Sequence, residues 1–125
     1  MALWADAANV RKERGRIYMI MIRAVVRPEK SAYVLSELYD AGYVGVTKEE
    51  VYGRGRQKGI TVGEGKYEER QKEIRISVAE DKDKDDIIRI IMKTAKTGNG
   101  NYGDGRIFVV AVDEAYTIST GKPGL

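Results

Sequence analysis

Apolar positions from Met19 onward follow strand-like patterns in four segments. Residues 19–27 form an almost unbroken apolar run rich in Ile and Val, which predicts a buried strand. Residues 44–52 and 107–112 predict two further strands. In residues 73–79 apolar and polar residues alternate, which predicts a strand with one apolar face, formed by Ile74, Ile76 and Val78.

Two other segments have the period of an amphipathic helix. Residues 30–41 place apolar side chains at helical spacing, with Pro28 suited to the first turn and Gly42 as a natural stop. The acidic residues 81–86 suit a helix start, and the apolar residues after them extend the helix to about residue 97.

The order strand, helix, strand, strand, helix, strand is that of the ferredoxin-like βαββαβ fold, in the α+β class. We expect an antiparallel four-stranded sheet with both helices on one face. The other face also carries apolar residues, so we expect it to meet another subunit rather than water.

The remaining segments lack a lasting period. Residues 53–72 contain five glycines, and such a long irregular segment inside a compact domain is usually functional. Residues 98–106 are a second glycine-rich loop, and beyond the last strand Tyr116 and Ile118 are predicted to pair as an edge.

Length and composition narrow the function classes. The 125 residues fit one domain, which we place at residues 19–125. We interpret residues 1–18 as a flexible extension, with an upstream start codon as the alternative. The absence of Cys and His excludes disulfides, thiol catalysis, His general bases and zinc sites built from these residues. No apolar run approaches the roughly 20 residues that span a bilayer. The net charge of +3 does not by itself imply nucleic acid binding, and we expect a cytoplasmic protein without membrane insertion.

Residues 53–59 combine glycine with positive charge. The glycines let a backbone approach a ligand closely and expose its amides. Arg56 and Lys58 suit a phosphate chain, and Gln57 offers an oxygen to a hard cation such as Mg²⁺. A flexible basic hairpin loop without a ligand explains the same residues. The segment is not a P-loop, because the residue directly after Lys58 is Gly59 and not Ser or Thr.

A second candidate lies at residues 103–106, just before the last predicted strand. Gly103 and Gly105 around Asp104 predict a tight turn whose amides bind an anion, and Arg106 suits a phosphate. A plain turn before an edge strand is the alternative. Two such loops on one small domain favour ligand binding more than either does alone.

With these motifs the chain resembles the PII family of signal-transduction proteins. The resemblance is strongest at residues 53–59 and 97–109, which correspond to the two most characteristic stretches of the family. Residues 22–28 are similar to the first strand of the family, and residues 119–121 to its C-terminal Arg-Thr-Gly. The likeness covers residues 19–121 in order.

The resemblance implies a homotrimer that binds ATP or ADP in clefts between subunits and, with Mg²⁺ and ATP, also binds 2-oxoglutarate. A long T-loop, here residues 53–72, then changes shape and docks on a target. One side of the cleft would be lined by Gly53, Gly55, Arg56, Gln57 and Lys58, with Thr47 and Val78 near the base or ribose. The phosphates would meet Gly103, Asp104, Gly105 and Arg106 of the other subunit. Gln57 would reach Mg²⁺, and 2-oxoglutarate would meet Gln57, Lys58, Gly59 and Lys72.

The sequence departs from the family at several positions. Thr117 and Ser119 stand where two arginines usually help to hold the nucleotide, which places nucleotide affinity and ATP/ADP preference in question. The loop before Gly103 is longer than usual. Gly65 falls at the position of the tyrosine that is uridylylated in the enteric type, and Tyr67 lies in a different context, so we predict no uridylylation.

Residues 59–69 and 114–117 look more like the nitrogen-fixation branch of the family. Members of that branch work as a pair of paralogues and inhibit the dinitrogenase component, and ATP with 2-oxoglutarate relieves the inhibition. The likeness implies target contacts from Glu64, Tyr67 and Arg70, whose alternative is a solvated loop. It also leaves open a trimer mixed with a paralogue.

Three other classes of function have less support in the sequence. An enzyme lacks support, because no carboxylate pair, no nucleophile with its base and no metal cluster stands out in the sequence. An RNA-binding module of this fold presents aromatic residues on its central strands, and here Phe108 stands alone. A PII-like sensor of another nucleotide or small ligand is favoured by Thr117 and Ser119.

Overall fold

A computed structural model describes residues 19–53, 60–62, 65–67, 69–78 and 81–124. The proposed extension over residues 1–18 lies outside the described residues. Within them, the chain forms two helices and eight strands. The main elements are β1 (Ile20–Val26), α1 (Pro28–Asp40), β2 (Val46–Gly53), β5 (Glu69–Val78), α2 (Asp81–Ala95) and β6 (Gly105–Ala111). Two short antiparallel pairs are formed by β3 (Ile60–Val62) with β4 (Gly65–Tyr67) and by β7 (Tyr116–Thr117) with β8 (Lys122–Pro123).

The larger sheet of the described residues has four strands in the order β2-β5-β1-β6. All three neighbouring pairs in it are antiparallel. The central strand β1 pairs with β5 on one side and with β6 on the other, with Ile22 opposite both Ile76 and Val109. The α+β content and the antiparallel strands predicted from the sequence are therefore confirmed.

The core lies between the sheet and the two helices. Alternate residues of β1, including Ile22 and Ala24, are fully buried, as is Ile74 of β5. They pack with buried residues of both helices, namely Val34 and Leu38 of α1 and Ile87 and Ile91 of α2. Burying a side chain of this size contributes about 1.5–3 kcal/mol, so this layer fixes the position of both helices on one face of the sheet.

Helix α1 begins and ends where its sequence signals lie. Pro28 occupies the first turn, where the proline ring suits the backbone and no amide is needed. At the other end Gly42 has φ +99° and its amide donates to the Tyr39 carbonyl oxygen. The Tyr43 amide then donates to the Leu38 carbonyl oxygen, which closes the helix end.

Strand β5 starts earlier than the sequence predicted. The prediction of irregular structure over residues 53–72 is wrong for β3, β4 and the first residues of β5. Residues 69–71 pair only with β2, through Val51, Tyr52 and Gly53, because β1 ends opposite Lys72. These positions carry the polar residues Glu69, Arg70 and Gln71, so no apolar period marks them as part of a strand.

The C-terminal prediction is correct for one of its two residues. Tyr116 pairs with Pro123 in the β7–β8 hairpin, whereas Ile118 lies in the connecting turn and is 99% exposed. The turn is closed by the Gly121 amide, which donates to the Thr117 carbonyl oxygen at 2.7 Å.

Strand β6 forms one edge of the sheet and leaves apolar side chains in solvent. Phe108, Val109 and Val110 are 48%, 42% and 42% exposed. Phe108 and Val110 pair with Arg23 and Met21 of β1, so they lie on the face opposite the helices. Contiguous exposed apolar residues on an edge strand are typical of a surface that another chain covers.

Candidate functional site

The loop between α2 and β6 is organised around the carboxylate of Asp104. Its Oδ1 accepts hydrogen bonds from Thr97 Oγ1 at 2.6 Å and from Arg27 Nε at 3.0 Å. Its Oδ2 accepts from the backbone amides of Thr97 at 3.1 Å and Asn101 at 2.9 Å. Both carboxylate oxygens are therefore used to hold the loop that precedes β6.

The Asp104 carboxylate is ionised by this environment. Partial burial by itself raises a carboxyl pKa, but the hydrogen bonds from Thr97, Asn101 and Arg27 favour the charged form more strongly. The net effect holds the pKa of Asp104 well below its ordinary value. The group is a permanent acceptor at neutral pH.

Arg27 joins the end of β1 to this loop. Besides its ion pair with Asp104, it donates through Nη2 to the Tyr102 carbonyl oxygen at 2.9 Å. A single guanidinium thus fixes two points of the loop, as its planar array of donors allows. Only 27% of the Arg27 side chain is exposed, so this charge is partly desolvated.

Asn101 closes the loop from within. Its side-chain amide donates to the Thr97 carbonyl oxygen and to Thr97 Oγ1, both at 3.0 Å. The Gly100 amide also donates to the Thr97 carbonyl oxygen, and the Asp104 amide to the Asn101 carbonyl oxygen. The loop of residues 98–102 is therefore held to Thr97 by several hydrogen bonds.

Gly105 is required by the fold at the start of β6. Its φ is +115°, and a Cβ built there would lie 1.8 Å from the Val25 carbonyl oxygen. No other residue fits this approach of β6 to β1. Gly103, with φ +93°, is the second glycine of the turn.

A cavity of about 380 Å³ adjoins the loop. Its apolar wall includes Val26, Ile91 and Ile107, and it also borders Asp104, Lys96 and Arg106. Arg106 and Lys96 are exposed cations, while the charge of Asp104 is offset by Arg27. The arrangement suits an anionic ligand with an apolar part.

Several predicted site residues meet at one end of the sheet. Val26 pairs with Gly105 on one side and with Lys72 on the other. Gly53 pairs with Glu69 at the tip of the ribbon that extends from this same end. The backbone of one chain therefore brings the loop of residues 103–106, Lys72 and Gly53 to a common end of the sheet.

Val78 lies at the opposite end of the sheet. It pairs with Ile20, whereas Gly105 pairs with Val26, so the two are separated by six residues of β1, about 20 Å. Thr47 pairs with Arg75, between these ends, and is exposed. Within one chain, neither residue adjoins the 103–106 loop.

Other predicted residues have partial or no description. Gly55, Arg56, Gln57, Lys58, Gly59 and Glu64 lie outside the described residues. Tyr67 pairs with Ile60 in the β3–β4 hairpin, and Arg70 pairs with Tyr52 in the ribbon. Thr117 and Ser119 belong to the C-terminal hairpin and are exposed.

The sequence did not identify Arg27, Thr97 and Asn101 as residues of the site. Asp104 followed by Gly105 signalled a turn, and a nearby Thr and Asn are common partners of such turns. Arg27 is 77 residues from Asp104, and no local pattern marks a contact of that length.

Neither a membrane-spanning helix nor a metal cluster is found in the described part of the chain. Its helices are too short or too polar to cross a bilayer. No three His, Cys, Asp or Glu residues among those described are grouped as metal ligands.

Comparison with known proteins identifies the family. The family model described as "Nitrogen regulatory protein P-II" matches residues 19–122. The chain is 52% identical over 107 residues to the "Nitrogen fixation nifHD1 region GlnB-like protein 1" of Methanosarcina barkeri, covering 86% of this chain and 100% of that relative. It is 42% identical over 115 residues to "Nitrogen regulatory protein P-II 2" of Methanothermobacter thermautotrophicus, covering 86% and 96%.

A solved structure agrees with these matches. The crystal structure of Arabidopsis thaliana PII bound to citrate superposes with a TM-score of 0.70 at 28% identity, covering 88% of this chain and 89% of that one. Sequence and structure thus agree over nearly the whole described chain. The chain belongs to the nitrogen regulatory protein P-II family, whose members are regulatory signal-transduction proteins and not enzymes.

Proposed function

We propose that this protein is a cytoplasmic PII regulator that senses ATP or ADP together with 2-oxoglutarate in clefts between the subunits of a trimer. The ligands set the conformation of the T-loop, and the T-loop controls a target protein of nitrogen fixation. The family match over residues 19–122 carries the proposal, and the relatives named for the nitrogen-fixation region give it direction.

The positions of the predicted residues support a site made by two chains. Thr47 and Val78 do not adjoin the 103–106 loop in one chain, and Val78 is about 20 Å from Gly105 along the sheet. A nucleotide that touches both sets therefore needs one set from each of two subunits. The exposed apolar edge at Phe108 and Val110 is consistent with such an assembly.

The chemistry of the described loop fits the phosphate end of a nucleotide. Gly103 and Gly105 leave the backbone accessible, and Arg106 adds a cation beside the cavity. Amide and guanidinium donors together bind phosphate oxygens with short, charge-assisted hydrogen bonds. Gln57 would hold Mg²⁺, and Lys72, whose backbone pairs with Val26 next to this loop, would hold a 2-oxoglutarate carboxylate.

Calorimetric titration of the purified protein with ATP, ADP and AMP, each with and without 2-oxoglutarate and Mg²⁺, tests the sensing proposal. We expect saturable ATP and ADP binding, and 2-oxoglutarate binding only with Mg²⁺ and ATP. A response to AMP alone, or to none of the three, overturns it.

A PII-like sensor of another ligand is the second candidate. The observation that favours it is that Thr117 and Ser119 supply no positive charge at the C-terminal hairpin, where the family resemblance implies arginines. Binding of AMP or of a different small anion without ATP binding in the same titrations supports this candidate. The citrate named in the Arabidopsis PII structure makes citrate a suitable small-anion arm.

The proposed target is the dinitrogenase component, contacted through Glu64, Tyr67 and Arg70. Adding the protein to an active nitrogenase, alone and with a paralogue, should lower its activity. ATP with 2-oxoglutarate should restore it. No change in activity, and no complex on size-exclusion chromatography, would reject this target.

A further inference from the structure

The Asp104 carboxylate has no hydrogen-bonding role left for a ligand once the loop is formed. Oδ1 accepts from Thr97 Oγ1 and Arg27 Nε, and Oδ2 accepts from two backbone amides. A carboxylate has about four acceptor sites, so these bonds use its capacity. Any role of Asp104 in phosphate binding is therefore exerted through the loop that it holds and not by direct contact.

The positive charge of Arg27 compensates the negative charge of Asp104. A bare carboxylate next to a phosphate site repels the ligand, by an amount that grows with burial. The Arg27 guanidinium lies 3.0 Å from Oδ1 and also holds the Tyr102 carbonyl oxygen. The pair is close to neutral as a unit and fixes both sides of the turn.

We propose that Arg27 and Asp104 are positioning residues that form a nearly neutral ion pair, here called the brace. The brace holds the 97–105 loop in the shape that binds an anion, and neither side chain contacts the anion. The anion would then be contacted by the glycine amides of the loop and by Arg106. This inference rests on the proposed nucleotide function for its ligand, although the brace itself is a property of the free protein.

Amide hydrogen exchange of the ligand-free protein tests the brace. Asp104→Ala removes all four acceptor contacts, so the amides of Thr97 and Asn101 should exchange at least tenfold faster than in the wild type. Asp104→Asn keeps one acceptor oxygen and should give a smaller increase. Asp40→Asn, an exposed carboxylate at the end of α1, is the matched control and should change neither amide. Unchanged exchange at both amides in Asp104→Ala overturns the inference.

Titration with ATP tests the charge balance. Arg27→Gln leaves the Asp104 charge unpaired and should weaken ATP binding by about tenfold, the effect of about 1.4 kcal/mol. Arg27→Lys keeps the charge and should lose less than about threefold. The double variant Arg27→Gln with Asp104→Asn removes both charges and should bind ATP more tightly than Arg27→Gln alone.

The double variant distinguishes a positioning role of Arg27 from direct contact between Arg27 and the phosphates. If Arg27 binds phosphate itself, the double variant binds no better than Arg27→Gln, and the brace is rejected. If Asp104 contacts the ligand or its metal ion, Asp104→Ala loses ATP affinity without faster exchange in the free protein, which also rejects it. A wild-type protein that binds no ATP rejects the proposed function, while the exchange data still decide whether the brace exists.

Discussion

At the scale of single residues, glycine positions differ in what they require of the backbone. Gly105 combines φ +115° with a Cβ position 1.8 Å from the Val25 carbonyl oxygen. Gly42 has φ +99° but no atom within 4 Å of its Cβ position, and Gly45 has neither constraint. Comparing the three positions therefore distinguishes the cost of a steric clash from the cost of a strained backbone conformation.

We predict a graded series of stability losses on substitution by alanine. Gly45→Ala should change the free energy of unfolding by less than about 0.5 kcal/mol, and Gly42→Ala should lower it by about 1–2 kcal/mol. Gly105→Ala should lower it by at least about 4 kcal/mol or prevent folding, because β6 must move away from β1. Chemical denaturation at one protein concentration measures the series. Equal effects at Gly42 and Gly105 would show that the close approach to Val25 is absent.

The ionisation of Asp104 predicts a pH dependence of stability. Its folded pKa lies below its ordinary value, so its stabilising effect is full above the unfolded pKa of about 3.9 and is lost as pH falls further. The wild type should exceed Asp104→Asn by about 1–3 kcal/mol above pH 5. The difference should shrink below about pH 4. Denaturation from pH 7 to pH 3 tests this, and a difference that grows on acidification would contradict it.

At the scale of elements, the two helices are joined at their ends as well as through the core. Tyr43, just beyond α1, donates its hydroxyl to Asp86 Oδ2 of α2 at 2.8 Å. Asp86 also forms an ion pair with Arg89. Burial and the nearby Asp83 carboxylate raise the pKa of Tyr43. The hydroxyl therefore remains a donor throughout the neutral range.

Tyr43→Phe should lower the free energy of unfolding by about 1–2 kcal/mol at pH 7. Because the folded pKa of Tyr43 is raised, its contribution is full below the unfolded value of about 10 and is lost as pH rises through the folded value. The variant should therefore lose less stability than the wild type between pH 9 and pH 11. Tyr39→Phe, at an exposed position of α1, is the control. Parallel losses in all three proteins over that interval would rule out the Tyr43 contribution.

The sequence predicted those elements whose apolar period reports burial. Ile74 and Ile76 of β5 are buried in the core and alternate with polar residues, and β1 was recognised from its nearly unbroken apolar run. The start of β5 was missed because residues 69–71, which pair with β2 beyond the end of β1, are all polar and carry no apolar period. The 103–106 turn was predicted from its glycines, whereas its bond to Arg27 was not, because that contact depends on how β1 and β6 are placed by the whole sheet.

At the scale of the whole molecule, the exposed edge strand indicates assembly. Proteins of this family are typically trimers, and Phe108 with Val110 leaves an apolar surface on the face opposite the helices. A single-domain chain of 125 residues gains substantially from covering such a surface.

We predict a native mass three times the chain mass of 14.0 kDa. Phe108→Glu should reduce this mass toward that of the single chain, because a carboxylate would be buried unpaired in the contact. Tyr39→Glu, on the helix side, should leave the mass unchanged. Light scattering coupled to size-exclusion chromatography measures both, and a wild-type monomer would reject the assembly.

The ribbon formed by the ends of β2 and β5 has a mechanical consequence. It continues the hydrogen-bonded ladder of the core for three residues beyond Lys72, roughly 10 Å, to Gly53 and Glu69. Such an arm is a lever whose fulcrum sits beside Val26 and Gly105. A tilt of about 6° at the fulcrum displaces its tip by about 1 Å over that length. Small rotations at the end of the sheet next to the 103–106 loop would thus be enlarged at Gly53, where the glycine-rich segment of residues 53–72 begins.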